Sequence, residues 1–221
     1  MTFAIDMAPR FDYGRESHET HLTEDGVAFE GVAGTSMTVG LVREPDDERM
    51  AQTRVDAHGD LHAEVTLRAG QMRGLVLETG TSGPIRQVRV AEAWRLFDET
   101  VDFWESWLGQ STYSGRWREE LDRSAITLKL MTYAPSGGLV AAPTAGLPEQ
   151  IGGERNWDYR YTWIRDASFS VYSLLGMGFK EEASALGRWL RDRVDEQSGK
   201  RGGPLNIMYR IDGSSDLTEY V

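Results

Sequence analysis

Asn156-Trp157-Asp158-Tyr159-Arg160-Tyr161-Thr162-Trp163-Ile164-Arg165-Asp166 packs four aromatic side chains, two arginines and two aspartates into eleven residues, two residues after a pair of glycines, Gly152 and Gly153. That mixture suits a sugar. The C–H faces of a pyranose stack on Trp and Tyr, while its neighbouring hydroxyls are held by a planar guanidinium on one side and a carboxylate on the other. Tyr159, Trp163, Arg165 and Asp166 are therefore the candidate binding residues. Plainer roles exist for each. Asp166 precedes the helix-like run Ala167 to Leu175 and would serve as an N-cap worth about 1 kcal/mol, with Arg165 as its surface ion-pair partner. Trp163 and Tyr159, like Trp157 and Tyr161, would otherwise be core residues.

Two periodicities must supply the scaffold. Between Leu61 and Ala69 apolar and polar residues alternate, the pattern of a half-buried antiparallel strand. Val27 to Val32, Met37 to Leu41 and Gly74 to Thr79 are further short apolar runs, and Phe3 to Met7 reads as the middle of a sheet. Turn signals separate them: Glu24-Asp25-Gly26, Glu44-Pro45-Asp46-Asp47, His58-Gly59-Asp60 and Thr81-Ser82-Gly83-Pro84. From Val90 the spacing lengthens to that of helices. Trp94, Phe97, Val101, Trp104 and Leu108 predict one helix, and Trp117, Leu121, Ala125 and Leu128 a second. A third is expected over Asp166 to Leu175 and a fourth from Lys180 to about Val194, with Ala183, Leu186 and Leu190 inward and Arg188, Arg191 and Asp192 outward. Leu217 to Val221 is expected to enter another. Trp94, Trp104, Trp107 and Trp117 are expected in the core or at a domain interface. No internal repeat or low-complexity tract is present. The fold class is β plus α in several domains. Residues 1–90 are expected to form the later part of an antiparallel β-sandwich, 91–115 a linker helix, and 116–221 the first helices of an α-helical domain compatible with an α/α barrel that four helices cannot close.

Composition excludes several functions. A net charge of −11 disfavours nucleic acid and anionic membrane surfaces, and a neutral substrate is easier to hold. The absence of cysteine removes disulfides, thiolate chemistry and cysteine zinc sites. The histidines are His18, His21, His58 and His62, so the helical half has none for Ser-His-Asp chemistry, and no metal site is expected. Neither glycine cluster matches a phosphate-binding loop, and no cofactor is expected. No apolar run reaches membrane-spanning length and the N-terminus lacks a leader pattern, so the expected setting is cytoplasmic. Oligomeric state is left open.

The run Ala141 to Glu149, then Gly152-Gly153-Glu154-Arg155 and Asn156 to Asp166, resembles the opening of the catalytic domain in glycoside hydrolase family 15, the glucoamylases, glucodextranases and related trehalases. The resemblance continues through Gly176, Gly178 and Phe179 to Gly202-Gly203-Pro204-Leu205 and Met208-Tyr209-Arg210-Ile211-Asp212-Gly213. Upstream, Phe11-Asp12-Tyr13-Gly14 is similar to a segment late in the family's N-terminal β-sandwich. It implies an (α/α)6 barrel and exo-acting hydrolysis of terminal α-linked glucose, with inversion by two carboxyls roughly 6.5 to 9.5 Å apart. By resemblance Arg165 and Asp166 grip hydroxyls of the non-reducing glucose, and Tyr159 and Trp163 flank the same subsite. Both catalytic glutamates are implied beyond Val221, so the chain is expected to be an inactive N-terminal fragment of an α-glucosidase. Glu149, Glu154 and Glu219 receive no catalytic role, and Met208 and Tyr209 either edge the pocket or pack. Thr162 stands where many bacterial relatives have Cys. Maltooligosaccharides, isomaltooligosaccharides and trehalose stay open as substrates. A non-catalytic carbohydrate-binding remnant and a structural or interaction fragment stand as alternatives.

Overall fold

The computed structural model describes residues 1–44, 51–80, 84–144, 146–198 and 204–218. It divides into two compact units, Met1–Val101 and Asp102–Val221, with the division falling inside a 19-residue helix. The first unit contains two antiparallel sheets. Strand β1 (Thr2–Met7) pairs with β6 (Leu61–Thr66), which pairs in turn with β5 (Ala51–Val55). The other sheet runs in the order β2 (His18–Leu22), β3 (Gly26–Gly31), β4 (Ser36–Val42) and β7 (Gly74–Thr79). The two share a core, because Val27, Phe29 and Val39 of one sheet cluster with Leu61 of the other, and Met7, Phe11 and Met37 close the edges.

Alternation decides which residues enter that core. Leu61 and Ala63 are buried, with His62 and Glu64 half-exposed between them. The strand stops at Thr66 rather than at Ala69, because Arg68 and Gln71 close a turn through both backbone and side chain. Phe3 to Met7 forms a strand, but as an end strand of its sheet rather than its middle, since β6 occupies the neighbouring position. The expected turns at Pro45 to Asp47 and Thr81 to Gly83 lie outside the described residues.

A charged cluster ties this unit together away from the core. His62 Nδ1 lies 2.6 Å from Asp6 on β1, and its Nε2 lies 3.1 Å from Asp56 in the turn after β5. Asp60 in the same turn accepts two bonds of 2.7 Å from Arg10. Hydrogen bonding to His62, and to the backbone of His58, holds Asp56 down at about 2. The two carboxylates raise His62, against opposition from Arg54 on the adjoining strand.

In the second unit, α1 (Val90–Leu108) contributes its last turns, followed by α2 (Arg118–Leu130), α3 (Ile164–Met177) and α4 (Lys180–Ser198). Short strands β8 (Thr162–Trp163) and β9 (Met208–Tyr209) pair beside them. One core joins Trp107, Ala125, Leu174, Met177 and Phe179, with Trp107 stacked on Phe179 at 4.1 Å. Gly178 ends α3 in the left-handed conformation, φ 102°, so that the Phe179 amide turns back to the Leu174 carbonyl at 2.9 Å. A second core joins Leu139, Ala167, Leu186, Trp189 and Tyr209. Trp107 and the half-buried Trp104 sit in the first core, but Trp94 and Trp117 are 53% and 52% exposed, contrary to the sequence expectation. The apolar stripe of α1 is thus buried at Trp104 and Trp107 and open at Trp94 and Phe97. Residues 219–221 of the expected final helix lie outside the described residues, and Leu217 and Thr218 are not helical.

The first core encloses a charge. Glu182, 5% exposed, accepts hydrogen bonds from Trp107 Nε1 at 2.9 Å and Lys129 Nζ at 2.6 Å. Burial alone pushes its carboxyl up, but the Lys129 and Trp107 hydrogen bonds outweigh this and hold it below the ordinary range. Among the described residues no helix is long and apolar enough to cross a membrane.

Two predictions follow from these clusters. Because folding raises His62, its protonated form stabilises the first unit fully below its ordinary value of 6.5, and the contribution drains away as pH rises through the raised value. Because folding lowers Asp56 from 3.8 to about 2, its ionised form stabilises above 3.8 and that contribution is lost on acidification toward 2. The urea midpoint of the native chain should therefore exceed that of His62→Asn most between these limits, near about pH 5, with the gap narrowing above neutrality; a gap independent of pH contradicts the clamp. In the second unit, Lys129→Met strands the Glu182 carboxylate without its cation and should cost about 3 kcal/mol in urea unfolding. A double variant that also carries Glu182→Gln should recover part of that loss.

Candidate functional site

The aromatic run folds as a loop that enters a two-residue strand and then a helix. Thr162 and Trp163 pair with Tyr209 and Met208, and the Ile164 amide continues the ladder to the Ile207 carbonyl at 3.1 Å. On its other side the same segment meets residues 141 and 142, whose amides donate to the carbonyls of Tyr161 at 3.0 Å and Tyr159 at 2.8 Å. The backbone from 159 to 164 is therefore held from two directions, as a residue that must present a ring at a fixed angle requires.

Asp158 anchors the start of this stretch. Its carboxylate takes a forked pair of bonds from Arg160, at 2.9 and 2.6 Å, and also receives the Arg160 amide at 2.9 Å. The Arg160 hydrogen bond holds the Asp158 carboxyl below the usual carboxylate range, against partial burial. The Asp158 carbonyl accepts Trp163 Nε1 at 2.9 Å, which fixes the indole and leaves its hydrocarbon surface to pack or to bind. Tyr159 lies against Trp163 with ring centroids 5.5 Å apart and planes tilted by 38°. The structure thus brings Tyr159 and Trp163 together as one aromatic surface, and both are half-buried.

Arg165 and Asp166 occupy the first turn of α3. Trp163, not Asp166, is the residue at the cap position, because β8 runs straight into the helix and starts it two residues earlier than the sequence suggests. The cap reading of Asp166 is therefore corrected: its carboxylate lies inside the first turn and meets Arg165 Nη2 at 3.2 Å. The Arg165 side chain is 67% exposed and that of Asp166 32%. Negative charge is favoured in this turn by the helix dipole. An exposed guanidinium beside a partly exposed carboxylate can donate to one hydroxyl of a vicinal pair and accept from the next.

The remaining candidates separate by burial. Tyr209 is 2% exposed, its ring meets Trp189 edge-on at 5.5 Å, and its hydroxyl accepts the Asn206 amide, so it packs. Met208 is half-buried opposite Trp163 in the ladder. Thr162 is fully buried, and Tyr161 half-buried. Trp157 is 44% exposed, with Nε1 bonded to Glu149 at 2.6 Å. Glu154 is exposed, and Glu219 lies outside the described residues.

One supporting residue is not among the sequence candidates. Arg193, which follows Leu186 by seven residues and Leu190 by three and so falls on the inward face of α4, is 8% exposed, lies 5.2 Å over the Trp189 ring and forks onto Glu196. Its guanidinium fills the space over Gly213, where an added Cβ would stand 1.6 Å from Nη1, and Gly213 also needs a φ of 98°. Two signals were available: the spacing of Leu186, Leu190 and Arg193 on α4, and Gly213 in an Asp-Gly turn, since a glycine there implies close approach of another group. Among the described residues no group of three or more His, Asp or Glu could hold a metal ion.

The family model for glycosyl hydrolases family 15 matches residues 115–221, which include the whole site. The chain is 49% identical to a trehalase of Thermoplasma acidophilum over 121 residues, 55% of this chain and 20% of that protein. It is 36% identical to a trehalase of Mycobacterium tuberculosis over 184 residues, 76% of this chain and 27% of that one. With Trehalase 2 of Sulfolobus acidocaldarius, identity is 24% over 218 residues, 98% of this chain and 36% of the relative. The chain thus spans between a fifth and about a third of the length of these three relatives, reaching into its β-rich unit in the longest match. Through the part that bears Tyr159, Trp163, Arg165 and Asp166, the chain belongs to glycosyl hydrolase family 15.

Proposed function

We propose that this chain supplies the glucose-gripping part of an inverting, exo-acting α-glucosidase whose substrate is trehalose. The observation that carries the reading is the junction of β8 and α3. There the fixed Tyr159–Trp163 surface ends where the exposed Arg165–Asp166 pair begins. A pyranose ring stacked on the aromatics would offer its hydroxyls to the guanidinium and carboxylate. Trehalose is preferred among α-glucosides because the relatives are trehalases.

In this reading the two carboxyls that protonate the leaving oxygen and activate water belong to sequence after Val221, in the remainder of an (α/α)6 barrel, and the β-rich unit is part of a β-sandwich. Tyr159, Trp163, Arg165 and Asp166 bind and orient the sugar and perform no proton transfer. Glu149 is bonded to Trp157 through one oxygen and is given no part in proton transfer. No cofactor or metal enters the scheme, and an acidic chain without cysteine suits a cytoplasmic setting.

Isothermal titration of the 221-residue chain with D-glucose and trehalose tests this reading. Both sugars should bind, and Arg165→Ala or Asp166→Ala should each weaken binding by about tenfold or more, which is roughly 1.4 kcal/mol per decade. Glucose release from trehalose, maltose or isomaltose by the pure chain should be absent. Sugar affinity indifferent to both substitutions would leave the first turn of α3 as mere surface charge, and turnover by the pure chain would contradict the placement of the catalytic carboxyls.

A further inference from the structure

Trp157 has a more open position than the other rings of the motif. It keeps 44% of its surface exposed, and its indole plane stands at 88° to that of Trp163 with centroids 6.2 Å apart. Its Nε1 is tied to Glu149 Oε1 at 2.6 Å, so what it offers a ligand is ring hydrocarbon. A carboxylate has two oxygens and about four acceptor positions, and one oxygen of the exposed Glu149 is engaged by the indole. An exposed indole beside an exposed carboxylate repeats the stacking and hydroxyl-accepting pair that defines the first sugar site.

The loop that carries this pair is fastened. Asn156 Nδ2 donates to the Gly146 carbonyl at 2.9 Å, and the Glu149 amide to the Arg155 carbonyl at 3.0 Å. Gly146 permits the closure, since an added Cβ would stand 2.7 Å from the Trp157 carbonyl oxygen. Trp157 is thus held at a set angle to Trp163, much as Trp163 is held by Asp158.

Resting on the sugar-binding reading above, we infer that Trp157 and Glu149 form a second subsite, which takes the other glucose ring of a folded disaccharide and so determines specificity. In an α,α-1,1-linked disaccharide one oxygen joins both anomeric carbons, and the two rings fold about it at a steep angle. In a 1,4-linked disaccharide the rings extend end to end and call for platforms in a line. Two indoles set perpendicular at 6.2 Å match the folded case.

The test compares one-ring and two-ring sugars on the same 221-residue chain. The native chain should bind trehalose more tightly than glucose or maltose. Trp157→Ala should lower trehalose affinity about tenfold, equal to roughly 1.4 kcal/mol, and leave glucose affinity unchanged. Glu149→Ala alters an exposed side chain, so it stays informative if Trp157→Ala fails to fold; it should weaken trehalose about threefold and again spare glucose. Arg165→Ala should weaken both sugars, which tests the underlying site independently. Equal loss of glucose and trehalose in Trp157→Ala or Glu149→Ala would place the pair within the first site or its scaffold and overturn the inference. No loss of either sugar, or a native chain with no preference for trehalose over glucose, would overturn it as well, while binding insensitive to Arg165→Ala would remove the first site itself.

Discussion

The short ladder between β8 and β9 is the contact on which the geometry of the second unit depends. Two residues per strand cannot hold a sheet together by their own hydrogen bonds. The ladder persists because both strands are fastened elsewhere. Tyr209 is buried against Trp189, and Trp189 lies beneath Arg193, whose guanidinium occupies the space that Gly213 leaves open. On the opposite strand, Ala167 and Ile164 draw the start of α3 into the same core. The position of Trp163 is therefore set by side chains some thirty to fifty residues later in the chain. A loop built only from its own residues would not fix a ring this way.

Two ion pairs in this unit differ sharply in burial. The Lys129–Glu182 pair has side-chain exposures of 29% and 3%, and its carboxylate is shared with a buried indole. Both protein donors meet one oxygen of the carboxylate, Oε1, while Oε2 is buried without a hydrogen-bond partner among the described residues. The Arg165–Asp166 pair, at 67% and 32%, keeps its water and has a single long bond of 3.2 Å. It contributes little to stability. A weakly coupled, solvated pair can exchange its water for sugar hydroxyls at low cost, which a buried pair cannot do.

What the sequence made legible was what depends on local periodicity. Leu61 and Ala63 show the inward face of β6 directly, and the 3–4 spacing of apolar residues in α3 and α4 marks both helices. Strand β2 was hidden because His18-Glu19-Thr20-His21 is polar throughout; His18 gains its place by meeting Phe11 and Phe29 edge-on at 5.8 and 5.7 Å. β8 and β9 are too short to carry a period. The start of α3 was misplaced because aspartate is a favoured cap and tryptophan is not, yet the ladder delivers the chain to the helix at Trp163. Arg193 is a different case: its spacing from Leu186 and Leu190 puts it on the inward face of α4, but nothing local shows that a glycine from another segment leaves room for its guanidinium. The residues of the candidate site stand out in the sequence as a group because their chemistry is concentrated in one run; how they are held was not readable, because the supports are distant in sequence.

The shift of the cap from Asp166 to Trp163 also bears on the chemistry. A capping carboxylate spends its oxygens on backbone amides of the first turn and is held close to the helix end. Asp166 is instead the third residue of α3 and makes no capping bond, while the first helical amide, that of Ile164, is taken by Ile207 across the ladder. The ladder thus does for this helix part of what a capping side chain would do, and the carboxylate is relieved of that duty. In this way the β8–β9 contact both aims the indole and leaves the aspartate free of capping bonds, so that an aromatic surface and a solvated Arg165–Asp166 pair arise at one helix start from a single packing arrangement.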